Sequence, residues 1–333
     1  MRKPRIIGDR KTNHYHVMSR VVDRRHVFGA EGKEFFRIAM RRLEAFSGVR
    51  VLAYCIMSNH FHLLLEVPEV IELDDETLME RLRRFYPKAR MAAIFQEFER
   101  ARLHAGETGS EEWLNELRES YLCRMGDLSS FVKELKECFT KWYNRCEGRR
   151  GTLWEERFKS VLVEDSDTAL LTMASYIELN PVRAGLVDDP REYRHCSYAE
   201  AVAGEKLARR GIASLLGMHG QEDSWRKLAA QYRKLIFCAG EKTESKAGFD
   251  PAQVRKVLNE GGELPLHDLI RCHVRYFNDG VALGCRLFVD EVFAQNRPLF
   301  GKRRKEGARK MRGGDWNGLF CLRNLSSALD APG

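Results

Sequence analysis

Residues 55–67 read CIMSNHFHLLLEV. Two histidines, His60 and His62, flank Phe61 inside an apolar run. Ser58 and Asn59 form a short turn signal between two strand-like runs, VRVLAYCIM (49–57) and HFHLLLEV (60–67), so the stretch reads as a β-hairpin. Side chains alternate along a strand. His60 and His62 therefore project from one face, their Cβ atoms roughly 7 Å apart, and Phe61 from the other. One metal ion can bridge that span, and imidazole is the commonest protein metal ligand. The pair is a rigid two-nitrogen ledge whose third ligand is missing. Alone, it reads more readily as two hydrogen-bonded imidazoles on a half-exposed sheet face. His14 and His16 form another H-x-H pair.

Outward from the hairpin, residues 14–22 (HYHVMSRVV) read as a strand, rich in β-branched and aromatic types. Residues 31–46 place Phe35, Ala39, Leu43 and Phe46 near helical spacing and predict an amphipathic helix. Pro68 ends the hairpin. Residues 69–126 are highly charged and mostly helical in pattern, a helical insertion. Residues 127–145 predict a helix capped by Asp127, with Phe131, Leu135, Cys138 and Phe139 on one face. A basic glycine loop, EGRRGT, leads to a strand around 158–163. The segment DSDTALLTMASYIELN (165–180) predicts a helix stopped at Asn180–Pro181, because proline disfavours helix in the residue before it.

Without the insertion the order is βαββαβα. That is the α+β order of a ferredoxin-like or RRM-like antiparallel sheet with helices on one face, strands 14–22 and 60–67 being central. This assigns one domain to 1–204 and a mostly helical C-terminal region to 205–333. Residues 250–296 read as several short helices. Within them, 269–293 have a helix, a glycine-containing turn and a helix, the look of a helix-turn-helix, with a structural module as the equal alternative. A basic cluster begins at Lys302, suited to nucleic acid or to a disordered tail.

The chain has 333 residues, 44% of them hydrophobic, enough to build a real core. Its net charge of +8 favours a polyanionic partner, nucleic acid first and an anionic membrane surface second. No run of about 18 apolar residues exists, so nothing is expected to span a membrane. The basic N-terminus lacks the apolar stretch of a signal peptide. Nine scattered cysteines without a C-x-x-C pair fit a reducing cytoplasm.

Tyr176 and Asn180 are four apart, hence neighbours on one helix face. Leu170, Met173, Ala174 and Ile177 can supply that helix's buried stripe, with Tyr176 beside it and able to face the histidines. Asn180 offers an amide oxygen to a hard cation at a helix C-terminus. Three motifs in this order, MSNHFHLLLEV, GTLWEERFKS and YIELNPVRAGLV, resemble the single-tyrosine HUH transposases: small insertion-sequence transposases and their REP-associated tyrosine transposase relatives. The resemblance covers roughly residues 8–200 apart from the insertion. It implies that His60 and His62 bind Mg2+ or Mn2+, that Tyr176 is the nucleophile and that Asn180 completes the metal site. Relatives often carry glutamine at that last position, one methylene longer. It further implies metal-dependent cleavage and rejoining of single-stranded or hairpin DNA through a 5′-phosphotyrosine. Some relatives complete the site across a homodimer.

Arg20, Arg24, Arg25, Arg157, Lys159 and Arg183 are candidate phosphate contacts, each singly more often a solvated charge. Trp154 suits either stacking on an unpaired base or a core anchor. His14 and His16 read as ordinary sheet-face residues able to approach the site, and His195 as structural. Tyr143, Tyr193 and Tyr198 read as packing residues. Two other readings stand beside the enzyme: a non-catalytic, domesticated hairpin-DNA-binding protein, and an RNA-binding module. The latter lacks the aromatic-rich strand motif of RNA readers.

Overall fold

The computed structural model describes residues 5–69, 73–220, 224–237, 275–311 and 316–325. The chain divides into two compact units. One holds residues 1–28, 51–66 and 154–333, the other 29–50 and 67–153.

The first unit is built on a seven-stranded mixed sheet. Its strands are β1 (Thr12–Arg20), β2 (Arg50–Ile56), β3 (His60–Pro68), β4 (Lys159–Val163), β5 (Gly280–Gly284), β6 (Arg309–Lys310) and β7 (Phe320–Arg323), in the order β2-β3-β1-β4-β5-β7-β6. The expected hairpin forms: Met57 N–H donates to His60 O at 2.8 Å across Ser58–Asn59. β3 and β1 lie side by side in the middle of the four strands anticipated from the sequence. β1 pairs antiparallel with β4, His16 opposite Val161.

Helix α6 (Asp167–Glu178) follows β4. Ser166 caps it, Oγ accepting from Ala169 N–H. Its Leu170, Met173, Ala174 and Ile177 enter one core with Leu64, Val161 and Val163 of the sheet, as the stripe predicts. The helix stops at Glu178. After Leu179 a short turn, α7 (Asn180–Arg183), restarts with Pro181 in its first positions, where the missing N–H costs nothing. Next come α8 (Ser197–Val202), α9 (Lys206–Leu215) and α10 (Trp225–Phe237).

The C-terminal region departs from the expectation. Residues 250–274 of the predicted short helices lie outside the described residues. The expected helix-turn-helix is instead a helix (α11, Arg275–Asp279), the strand β5 and a helix (α12, Arg286–Gln295). GVALG, read as the turn, runs parallel to β4 and antiparallel to β7, so three strands extend the sheet from this region. A five-residue apolar run carries no periodicity that separates strand from turn. Its glycines are there for close approach. A Cβ at Gly280 would meet Tyr276 O at 2.4 Å, and one at Gly284 would meet Phe288 Cδ1 at 2.5 Å. Of the basic cluster, Lys302 to Lys310 are described and lead into β6, while Arg312 lies outside the described residues.

The second unit is helical: α1 (Ala30–Ser47), α2 (Asp75–Phe85), α3 (Lys88–Thr108), α4 (Glu112–Leu122) and α5 (Leu128–Cys146). α1 packs on α2 and α5. Asp127 caps α5 as predicted, accepting from Ser130 N–H at 2.6 Å. The buried face of α1 is Phe36, Met40, Leu43 and Phe46, so Phe35 and Ala39 are displaced to its margin. Phe35 stacks there on Trp142, centroids 4.8 Å apart. Arg124 ties the insertion to α5 by a two-pronged pair with Glu134, both contacts at 2.7 Å. The insertion is helical, as its charge pattern indicated.

Candidate functional site

Adjacency of β1 and β3 sets His16 beside His62. Their rings are near coplanar, 12° apart with centroids 5.1 Å apart, and His16 Nε2 lies 2.9 Å from His62 Nδ1. The rings meet edge to edge through an in-plane N–H···N bond and do not lie face on face. The other nitrogen, His16 Nδ1, is 2.9 Å from Phe277 O. A carbonyl can only accept, so His16 Nδ1 carries the proton. His16 is buried, and burial lowers its pKa to about 4, the Phe277 bond opposing and Arg183 assisting. The neutral ring therefore presents a bare Nε2, and His62 Nδ1–H donates to it. That assigns the proton of His62 to Nδ1 and its lone pair to Nε2.

His60 is prepared in the same sense by a different device. Asn59 Nδ2 donates to Arg24 O at 3.0 Å, which orients the amide. Asn59 Oδ1 then faces His60 Nδ1 at 2.7 Å, so Nδ1 donates and the lone pair of His60 also sits on Nε2. The two imidazoles have centroids 5.1 Å apart. Each thus has its Nδ1 engaged by a neighbour and Nε2 as its basic nitrogen, the arrangement seen behind metal-binding histidines. Among the described residues no group of three or more His, Cys, Asp or Glu side chains is placed to hold a metal ion.

Tyr176 projects from α6 toward His16 and His62, its ring edge-on to both with centroids 5.9 Å away. It sits inside the core, fully buried, not beside the stripe. Phe277 covers it at 4.6 Å. Its Oη is buried and meets no partner at full hydrogen-bond geometry, with Asn278 and Arg183 beside the hydroxyl. Burial raises the phenol's pKa and the Arg183 charge opposes. Arg183, a candidate phosphate contact, donates to Tyr176 O at 2.7 Å and lies 4.3 Å from the Tyr176 ring centroid. Asn180 Nδ2 donates to Tyr176 O (3.2 Å) and Ile177 O (3.1 Å), covering the last carbonyls of α6. Two residues past the tyrosine, Glu178 is buried with Ser197 donating to Oε1; burial pushes its pKa up to about 7, the Ser197 bond opposing.

Trp154 is a core anchor and not a base-stacking surface: it is buried, packed on Phe28 (6.2 Å) and Phe61 (5.7 Å). Arg24 and Arg25 are exposed on a loop stitched to the hairpin turn by Val21 N–H to Asn59 O and Phe28 N–H to Ser58 O. Arg20 is half-buried and Arg157 exposed. Lys159 faces Glu156 at 3.6 Å and Asp279 at 3.7 Å, two carboxylates that compete with a phosphate. Tyr193 donates to Ile56 O at 2.8 Å and Tyr198 packs on Tyr232, the packing expected of both. Sequence reasoning undervalued His16 and Asn59 and missed Phe277. The first pair had a signal, a second H-x-H strand and an amide beside a histidine. Phe277, 261 residues from His16, had none.

Fold and site together define an α+β protein with a histidine-pair and tyrosine centre on its sheet. Residues 10–104 match the family described as Transposase IS200 like, a likeness in line with the resemblance of the motifs. The match takes in His16, Asn59, His60 and His62 and stops short of Tyr176. Among solved structures, one described as a REP-associated tyrosine transposase bound to a REP hairpin is similar at 16% identity, covering 75% of this chain and 98% of the other with a TM-score of 0.39. No curated protein matches the chain. Among the described residues, no helix is long and apolar enough to cross a membrane.

Proposed function

We propose that this chain cleaves and rejoins single-stranded or hairpin DNA, with Tyr176 as nucleophile. The observation that carries the reading is the approach of the Tyr176 ring to both His16 and His62 at 5.9 Å. Tyr176 Oη attacks phosphorus, forming an O–P bond as the bond to the 3′ oxygen breaks. The phenolic proton ends on that 3′ oxygen. The products are a 5′-phosphotyrosine and a free 3′-OH, and the reverse attack by another 3′-OH reseals the strand.

The donors that would hold a divalent cation are the Nε2 atoms of His60 and His62 and the amide oxygen of Asn180, whose Nδ2 is already spent on α6. Held there, Mg2+ or Mn2+ would supply Lewis-acid polarisation of a nonbridging phosphate oxygen. His16 and Asn59 hold the two imidazoles in the required tautomer, and Arg24 and Arg25 offer charge to the DNA backbone.

The test is a labelled hairpin DNA incubated with the chain and Mn2+ or Mg2+, then run on a denaturing gel. A metal-dependent covalent adduct that Tyr176→Phe abolishes supports the reading. Undiminished cleavage by that variant removes Tyr176 from its role. One observation favours a second reading, hairpin binding without turnover: the burial of Tyr176 beneath Phe277. A tight, metal-independent complex with no adduct, even in Phe277→Ala, selects it.

A further inference from the structure

Between residues 302 and 310 the chain carries six cations and one carboxylate, Glu306. The segment is ordered, and two arginines turned inward account for its shape. Arg297 donates to Phe300 O (3.1 Å), Gly301 O (3.3 Å) and Lys302 O (2.9 Å). Arg304 donates to Glu306 O (2.9 Å), Gly307 O (2.7 Å) and Arg323 O, and lies over the Phe293 and Phe300 rings at 5.3 and 5.0 Å. Ala308 N–H donates to Asp290 Oδ1 at 2.8 Å, and a Cβ at Gly307 would meet Phe293 Cβ at 2.5 Å, so the chain is pressed against α12.

This scaffold leaves Lys302, Arg303, Lys305, Arg309 and Lys310 exposed, none with a carboxylate partner among the described residues. Five exposed cations on one short stretch, against the single carboxylate of Glu306, make a positive patch that attracts a polyanion. Two features choose among polyanions. No large exposed hydrophobic side chain lies within 296–311, so nothing on the turn enters a lipid interface. Its aromatic ring, Phe300, is buried, so no ring is offered to an unpaired base. What remains is contact with phosphates alone, the way duplex backbones are held.

We propose that this turn grips the backbone of a double-stranded DNA stem whose unpaired flank enters the Tyr176 site; the second half of that statement rests on the proposed function. The sheet sets the reach. From β1 to β6 is four strand steps (β4, β5, β7, β6), roughly 19 Å at ~4.8 Å each. Duplex DNA covers that span in about six base pairs at ~3.4 Å each.

The test uses the full chain and fluorescence anisotropy over a salt series. The probes are two hairpins of arbitrary stem sequence and identical flank, with stems of about twelve and about four base pairs. The variant is Lys302→Ala/Arg303→Ala/Lys305→Ala, three exposed positions. On the long stem, binding weakens at least about tenfold and the slope of log Kd against log salt falls by two to three; on the short stem neither changes. Equal affinity and slope on the long stem, equal loss on both stems, or an equal loss on anionic phosphatidylserine vesicles overturns the proposal. The covalent-adduct assay on the short stem keeps the two claims apart. An adduct with no variant effect on the long stem rejects the grip alone. A variant effect without any adduct rejects the tyrosine chemistry alone.

Discussion

His16 Nε2 stands 2.9 Å from His62 Nδ1, and the far side of His16 is held by the backbone carbonyl of Phe277. One hydrogen-bond chain therefore joins α11, the helix that leads into β5, to a candidate metal ligand. Each link fixes the next. The carbonyl makes Nδ1 of His16 a donor, which makes its Nε2 an acceptor, which places the proton of His62 on Nδ1.

Breaking that chain should weaken metal use more than it weakens the fold. Outer partners of metal-bound histidines are typically worth 10–100-fold in metal affinity or activity. His16→Phe removes the acceptor and strands His62 Nδ1–H, a cost of about 1–3 kcal/mol. The Mn2+ concentration giving half-maximal adduct should rise by about tenfold or more, while His16→Gln, which retains an acceptor, recovers part of it. An unchanged Mn2+ requirement in His16→Phe, with an intact melting transition, removes His16 from this role.

Tyr176→Phe separates chemistry from stability. The hydroxyl is buried and meets no partner at full hydrogen-bond geometry, so deleting it removes a desolvated polar group and no well-formed hydrogen bond. The melting temperature should hold or rise slightly as adduct formation disappears. A fall of several degrees would show that Oη has a partner in solution.

Phe277 shuts the tyrosine away from any phosphate, since the Tyr176 ring is fully buried with Phe277 at 4.6 Å. Phe277→Ala should cost about 3 kcal/mol in stability, as buried Phe truncations do, yet speed adduct formation with a saturating hairpin. Its backbone carbonyl, and hence the bond to His16, is retained. A variant that is both less stable and slower to form adduct would assign Phe277 a purely structural role.

Glu178 supplies a pH dependence whose sign can be worked out. Its pKa is raised from 4.5 to about 7, so between those values the unfolded chain releases a proton that the folded chain keeps. Stability therefore falls as pH rises from about 4.5 to about 7 and levels beyond, by at most about 3–4 kcal/mol at ~1.4 kcal/mol per unit. Glu178→Gln keeps an oxygen for Ser197 and removes the ionisation. Thermal melts of the variant should lose that slope and gain stability at pH 8. An identical profile in both proteins would place the titration elsewhere.

Much of this was legible locally. The hairpin was carried by a two-residue turn between apolar runs, and the α6 stripe by spacing alone. Asp127 announced its helix because a cap is chosen by its own next three residues. The α1 face was read one residue off, since Phe35 and Phe36 are adjacent and either can lead a stripe. GVALG was misread because its strand identity comes from β4 and β7, not from its own residues. Trp154 changed from a stacking candidate to an anchor only once Phe28 and Phe61 closed around it.

By itself the sequence determined that His60 and His62 share one strand face, because side-chain period is a property of the local backbone, and it singled out Tyr176 and Asn180 as candidates beside them. Only the tertiary structure decided which nitrogen of each histidine carries the proton, that His16 stands behind His62, and that Phe277 closes over Tyr176. Those facts depend on strands and segments brought together across up to 261 residues, and no local period encodes which distant carbonyl or ring will fill a given space.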